Sequence, residues 1–376
     1  MPIDKNFVIP DELLPHDGRF GSGPSLVRRE AVTSLAEISE TYLGTSHRQD
    51  PVRNMVGRLR NGLNHLFSLP EDWEIVLGNG GSTLFWDAAT FGLIENASQH
   101  LVFGEFSSKF AQAVAKAPHL QNPEIIESDP GDAPTLRKAN VDTYALTHNE
   151  TSTGVSIPIT RVPDISANDA LVLVDATSAA GGMLWDPSEV DCYYFAPQKC
   201  FGSDGGLWVA ACSPAAIARI EKISLSDRWI PAGLDINTAL DNSRKNQTYN
   251  TPALSTIFLT VHQVEWMNNN GGLNWAAERS RRSSSHIYDW ADHHQFASPF
   301  VENVNLRSPV VATIDLAEEV NADVVIEICR ENGILDIAGY RKLGRNQLRI
   351  ATFPAIELED VHSLTKSLDY VIGSLL

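Results

Sequence analysis

The chain has 376 residues, 43% of them apolar and 20% charged. That supplies a large core and carries too little charge for a disordered chain, and the length predicts two or three domains. With 29 Lys and Arg against 47 Asp and Glu, the net charge of −18 repels nucleic acid and anionic lipid, so neither is an expected partner.

The four cysteines, at 192, 200, 212 and 329, make no CxxC pair and no zinc-spaced cluster with histidine, so neither a disulfide framework nor a metal site is expected. The N-terminus lacks the basic start and apolar core of a signal peptide. No apolar run reaches the roughly 20 residues of a membrane span. The expectation is a soluble protein of the cytoplasm.

Two helices open the chain. One is expected from Pro24 to about Ser39, with Pro24 in its first turn. The other runs from Pro51 to Phe67, with Val52, Val56, Leu59, Leu63, Leu66 and Phe67 along one face. Seven apolar runs follow, at Glu74–Gly78, His100–Gly104, Glu124–Ser128, Val141–His148, Ala170–Ala176, Val190–Ala196 and Gly206–Cys212. Helix-like stretches lie among them at Thr83–Ile94 and Ser107–Ala117 and after them at Pro214–Ile223. This alternation predicts an α/β domain with a mostly parallel seven-stranded sheet covered on both faces, whose ligands sit at the C-terminal strand ends.

A long helix is expected over Ala253–Asn269, stopped by the Asn-Gly run that follows. A second pattern then begins. It has a helix from Leu273 to about His293, strands at Phe300–Val304 and Val310–Ile314, and a helix over Ala322–Glu331. A strand at Gln347–Ala351 and a last helix from about Leu358 complete it. The reading is a large domain over 21–262 and a smaller α+β domain over 263–376, with residues 1–20 packing with the small domain.

Four places suit chemistry. Lys199 stands just past the run Val190–Ala196, before a glycine-rich turn. Burial disfavours a lysine's charge, so an amine here suits a group that must lose its proton, as in a Schiff base to pyridoxal phosphate. A lysine at a strand–loop junction fits the position as well. Asp175 closes another apolar run and suits a metal, a ribose hydroxyl, a protonated ring nitrogen, or a cap for the next turn. The 24 residues from Asp175 to Lys199 (199 minus 175) leave room for one more strand, so both could reach one ring. Gly78-Asn79-Gly80-Gly81-Ser82-Thr83 opens a helix and suits a single phosphate, or an ordinary turn, since it has neither Walker lysine nor dinucleotide glycine spacing. His148-Asn149-Glu150-Thr151-Ser152-Thr153-Gly154 follows a strand with several hydrogen-bonding side chains, as a polar loop also would. Thr45–Arg48 and Tyr249–Pro252 read by themselves as surface clusters.

Taken together, the motifs Phe20-Gly21-Ser22-Gly23-Pro24-Ser25, Ser46-His47-Arg48, Gly80-Gly81-Ser82, Asn149-Glu150-Thr151, Val174-Asp175-Ala176-Thr177-Ser178, Gln198-Lys199, Asn250-Thr251-Pro252 and Arg349-Ile350-Ala351 span essentially the whole chain. In this order they resemble the phosphoserine aminotransferase family of class V pyridoxal-phosphate enzymes, in its actinobacterial-like branch. The resemblance implies aminotransferase fold type I, pyridoxal 5'-phosphate as cofactor, and a homodimer with shared active sites. It makes Lys199 the Schiff-base lysine and proton shuttle, and Asp175 the partner of the ring nitrogen. Phe106 would stack on the ring, where many relatives have tryptophan. Thr151 would bond the ring hydroxyl, and Gly81, Ser82 and Gln198 the phosphate. Asn250 and Thr251 would reach that phosphate from the partner subunit.

For substrates, the resemblance assigns His47, Arg48 and Arg341 to a phosphate and Arg349 to the α-carboxylate. Many relatives have arginine in place of Ser82 and histidine in place of Tyr340, so a cation such as Arg53 would have to compensate. The implied reaction passes an amino group between glutamate and 3-phosphohydroxypyruvate, giving phosphoserine and 2-oxoglutarate, with 4-phosphohydroxythreonine as a possible second substrate. Competing readings are an alanine–glyoxylate-type aminotransferase, a cysteine desulfurase, and a non-catalytic binding protein of the same fold.

Overall fold

The computed structural model describes residues 7–166 and 169–376; residues 1–6 of the expected N-terminal segment lie outside them. Helices α1 (Arg29–Tyr42) and α2 (Asp50–Phe67) come first. The main sheet then takes shape from β1 (Glu74–Asn79), helix α3 (Ser82–Gly92), β2 (Ser98–Val102), helix α4 (Glu105–Lys116), β3 (Glu124–Glu127) and β4 (Thr143–Thr147). A two-residue hairpin, β5 (Asn149–Glu150) and β6 (Val155–Ser156), precedes β7 (Leu171–Asp175), β8 (Cys192–Phe195) and β9 (Leu207–Cys212). Helices α5 (Pro214–Ser224), α6 (Ile236–Ser243), α7 (Leu254–Asn269) and α8 (Gly272–His293) follow. The last part holds β10 (Ala297–Pro299), β11 (Val311–Leu316), α9 (Ala322–Glu331), β12 (Gln347–Ala351) and α10 (Leu358–Leu375).

All seven expected strands join one sheet, in the order β1-β9-β8-β7-β4-β2-β3, and only β9 runs antiparallel to its neighbours. Side chains alternate across the pleat, so each strand feeds two cores. On β7, Leu171 and Leu173 pack with Phe85, Trp86 and Ile217 of α3 and α5, while Val172 and Val174 join the cluster that holds Leu59 of α2 and Val261 of α7. Burial on both faces accounts for the unbroken apolar run that marks β7 in the sequence. No helix among the described residues is long and apolar enough to cross a membrane.

A third core lies under the antiparallel sheet β10-β11-β12, between α8, α9 and α10. The N-terminal segment is sewn onto it. Ile9 N–H donates to Asn332 Oδ1, His16 N–H to Asp360 Oδ1, and Ala351 N–H to the Phe20 carbonyl.

Two expected elements differ. Pro24 does not begin a helix; α1 starts five residues later, at Arg29 (29 minus 24). Ser25 explains the delay, because its N–H donates to the Gln198 carbonyl and its hydroxyl to the Lys199 carbonyl. The strand expected at Phe300–Val304 lies instead at Ala297–Pro299, and Val304–Leu306 forms a 3-10 turn capped by Asn303. Val304 is 65% exposed, so its apolar side chain takes no part in a strand's buried face. Helix α6, only eight residues long, is not among the expected elements; Asp235 caps it by accepting from Asn237 N–H.

Candidate active site

The C-terminal ends of β1, β4, β7 and β8 converge on a cavity of about 370 Å³ lined by Gly81, Ser82, Phe106, Thr151, Asp175, Gln198 and Lys199 among others. Thus seven of the expected site residues, three of them glycine or small hydroxyl residues, meet in one place. Parallel neighbours β7 and β8 deliver Asp175 and Lys199 to it from adjacent strand ends.

Lys199 Nζ donates to the Ser22 carbonyl at 2.5 Å. Burial, reinforced by the positive charge of Arg349, lowers its pKa from 10.5 to about 8. Gly23 makes room for it: at φ +134°, a Cβ there would lie 2.1 Å from Lys199 Nζ. Asp175 is 3% exposed. Its Oδ2 accepts from Trp86 Nε1 at 2.9 Å, and its Oδ1 from Thr177 N–H at 2.9 Å and Thr177 Oγ1 at 2.5 Å. Burial pushes its pKa up, and these donors with the Lys199 charge pull it back.

Thr151 Oγ1 and Asn149 Nδ2 both donate to Ser178 Oγ, at 2.8 Å each. Ser82 and Thr83 form the first turn of α3, where amides have no intrahelical partner, and Ser82 Oγ lies 2.7 Å from Thr177 Oγ1, whose own proton is given to Asp175. His148 is held at 3.0 Å from Tyr193 OH, and burial drops its pKa to about 3, so it stands neutral.

A second cavity of about 570 Å³ adjoins at Gly23 and Pro24 and is lined by Tyr340, Arg341, Lys342 and Arg349. Arg349 donates to the Thr151 carbonyl at 3.2 Å, and its guanidinium lies 5.3 Å from the centre of the Tyr340 ring. Lys342 is paired with Glu105.

His47, Arg48, Asn250 and Thr251 are not at either cavity; they gather with one another beyond the end of β1. His47 Nδ1 lies 3.1 Å from Thr251 Oγ1, and Asn79 joins Asn250 and Thr251 through its side chain. Burial and the Arg48 charge depress the His47 pKa, which favours the neutral ring. Arg53 pairs with Asp50 at 3.7 Å and likewise lines neither cavity.

Sequence reasoning missed Trp86 and gave no role to Ser22, Gly23, Thr177 or Ser178, although these four fall within the motifs that carry the resemblance. Trp86 had a signal: it lies four residues after Ser82, hence on the same helix face. The contact of the Ser22 carbonyl with Lys199 had none, because only tertiary packing lays the two together.

All four cysteines are free and fully buried, and burial pushes the Cys200 thiol well up. A desulfurase needs a mobile thiolate at the substrate, so the thiols oppose that reading.

The donor set fits pyridoxal phosphate. Among the described residues, Asn149 Oδ1 and Gln198 Oε1 are buried without partners around a cavity that also offers a poised amine, a buried carboxylate and a helix N-terminus, and Arg349 Nε is likewise unpartnered at the adjoining cavity.

The Aminotransferase class-V family model matches residues 20–344. A phosphoserine aminotransferase from a Nocardioides species is 54% identical over 368 residues, which is 98% of each chain. The crystal structure of a phosphoserine aminotransferase from Cytophaga hutchinsonii superposes with a TM-score of 0.84 at 26% identity, covering 94% of this chain and 99% of that one. A phosphoserine aminotransferase from Trichomonas vaginalis with bound pyridoxal phosphate shares the fold, with a TM-score of 0.77 at 19% identity over 94% of this chain and 100% of that one. The match over most of the length, together with the converged lysine and carboxylate, makes this chain a member of the class-V aminotransferase family.

Proposed function

We propose that the protein is a pyridoxal-phosphate-dependent phosphoserine aminotransferase, moving an amino group between L-glutamate and 3-phosphohydroxypyruvate in serine biosynthesis. The observation that carries this reading is the pairing of Lys199 and Asp175 at adjacent strand ends, beside a second cavity lined by Arg341 and Arg349. The 54% identity to the Nocardioides phosphoserine aminotransferase supports the substrate choice.

Bound pyridoxal phosphate supplies an electron sink that stabilises the charge left when an amino acid loses its α-proton. The rest falls to the chain. Lys199 Nζ, with its pKa near 8, takes that proton and returns it. Asp175 holds the ring nitrogen protonated, and Trp86 and Thr177 fix the carboxylate's orientation. Thr151 bonds the ring hydroxyl, Phe106 offers its face, and Gly81, Ser82 and Gln198 hold the phosphate. Arg349 binds the α-carboxylate through its planar fork.

The phosphate end of the substrate is assigned to Arg341 with His47 and Arg48. Because Thr251 and His47 are hydrogen-bonded neighbours away from their own chain's cavity, we assign them a common duty. The partner subunit's Asn250, Thr251, His47 and Arg48 complete the site in a homodimer. A cytoplasmic setting accords with the four free cysteines. A second activity on 4-phosphohydroxythreonine is consistent with the same cationic cavity.

A coupled assay comparing 3-phosphohydroxypyruvate with hydroxypyruvate tests the reading. Wild type should favour the phosphorylated substrate in kcat/KM, and Arg48→Ala should lose most of that preference. Equal use of both substrates by wild type would refute the phosphate assignment.

A further inference from the structure

Helix α4 has no cap of its own; its N-cap is Gly104. The first amides of a helix lack intrahelical partners and need acceptors from elsewhere. Here they come from the β5 loop. Glu105 N–H donates to Ser152 Oγ at 3.0 Å, while Phe106 N–H and Ser107 N–H donate to Glu150 Oε2 at 3.1 and 2.9 Å. Glu150 also accepts from Ser107 Oγ at 2.9 Å, Ser152 N–H at 3.2 Å and Ser152 Oγ at 2.8 Å. The carboxylate is fully buried, and no ion pair reaches it among the described residues. Burial pushes its pKa up; these donors pull it back, with the positive end of the α4 dipole and, at longer range, the Lys199 and Arg349 charges on the same side.

Gly104 belongs to the same device. A Cβ there would lie 2.4 Å from Glu150 Cγ and 2.6 Å from Ser152 Oγ. Its φ of 173° is extended and open to any residue, so the requirement is for space alone. Strand alternation does the rest. Asn149 and Thr151 turn to Ser178 and the cavity, and Glu150 between them turns to α4.

We propose that Glu150 is a positioning residue: it caps α4 from across the fold and ties the Phe106 ring to the Asn149 and Thr151 edge of the same cavity. The functional part rests on Phe106 contacting the cofactor, as proposed above; the cap itself does not.

Glu150→Gln sets an NH₂ group against amide donors, and Gly104→Ala displaces an intact carboxylate. In both variants, hydrogen exchange at the Phe106 and Ser107 amides of the cofactor-free protein should quicken about fivefold to tenfold, the scale of a lost helix cap. The dissociation constant for pyridoxal phosphate should rise by a similar factor. In a Phe106→Ala background, Glu150→Gln should add little further loss, because the effect passes through that ring. Unchanged exchange in Gly104→Ala, or a full additive loss in the Phe106→Ala background, would overturn the proposal. Quickened exchange with cofactor affinity unchanged in Phe106→Ala itself would uphold the cap and refute the placing of Phe106 on the cofactor.

Discussion

Lys199 is the residue on which burial acts most directly. Its amine has left water for a cavity with Arg349 nearby, and both influences favour the neutral form. Only a neutral amine attacks a carbonyl, so capture of pyridoxal phosphate by the cofactor-free protein should quicken as pH rises through about 8. Arg349→Met removes a like charge and should move that inflection upward. Stopped-flow absorbance across pH 6–11 reads both, with those pH limits chosen to bracket roughly the free-lysine value. An inflection at the free-lysine pKa of 10.5, or one indifferent to Arg349, would mean that the amine is not held as described. Asp175 shows the complementary arrangement: its burial is made tolerable by Trp86 and Thr177, which donate to both oxygens.

Helices and strands were legible where a periodic apolar face met burial. Helix α2 illustrates this: Val52, Val56, Leu59, Leu63, Leu66 and Phe67 were read as one face, and all are buried. Leu59 is fully buried in the cluster shared with α7, so Leu59→Ala should destabilise the fold by about 2–5 kcal/mol through the cavity it leaves. Denaturant titration should show the loss with little change in the affinity for cofactor, because the residue lies outside both cavities. A loss within about 0.5 kcal/mol would show that the site collapses or is less tightly packed than described. Elements failed to follow pattern where tertiary bonds claimed the backbone, as at Ser25, or where an apolar side chain was left in solvent, as at Val304. We propose the division into 21–262 and 263–376 as the functional domains; α7 spans that boundary, and Val261 and Val264 on either side of it both sit in the large-domain core.

Over the whole molecule, a net charge of −18 coexists with a small cationic enclave formed by Lys199, Arg341 and Arg349. Repulsion of polymers and membranes and capture of small anions are compatible because the latter depends on local groups in a partly enclosed space. If the partner subunit's Thr251 serves each cavity, two defective variants should repair one another. Lys199→Ala and Thr251→Ala, each weak alone, should regain activity when unfolded together and refolded as a mixture, because one site of the mixed dimer has both groups intact. Activity no higher than the average of the separate variants would place Thr251 outside a shared site.

The sequence by itself determined the seven sheet strands, most helices, and the segments that supply Lys199, Asp175, Thr151 and Ser82, while Phe106 came only through the family resemblance. It could do so because burial periodicity and short motifs are local properties of a chain. Only the tertiary structure decided which of those segments meet. It laid Ser22 and Gly23 against Lys199, brought Trp86 to Asp175, and turned Glu150 onto the first amides of α4. It also separated His47, Arg48, Asn250 and Thr251 from their own chain's cavities. Partners in such contacts are chosen by the crossing of distant strands and helices, and hydrogen bonds between them leave no period in the sequence.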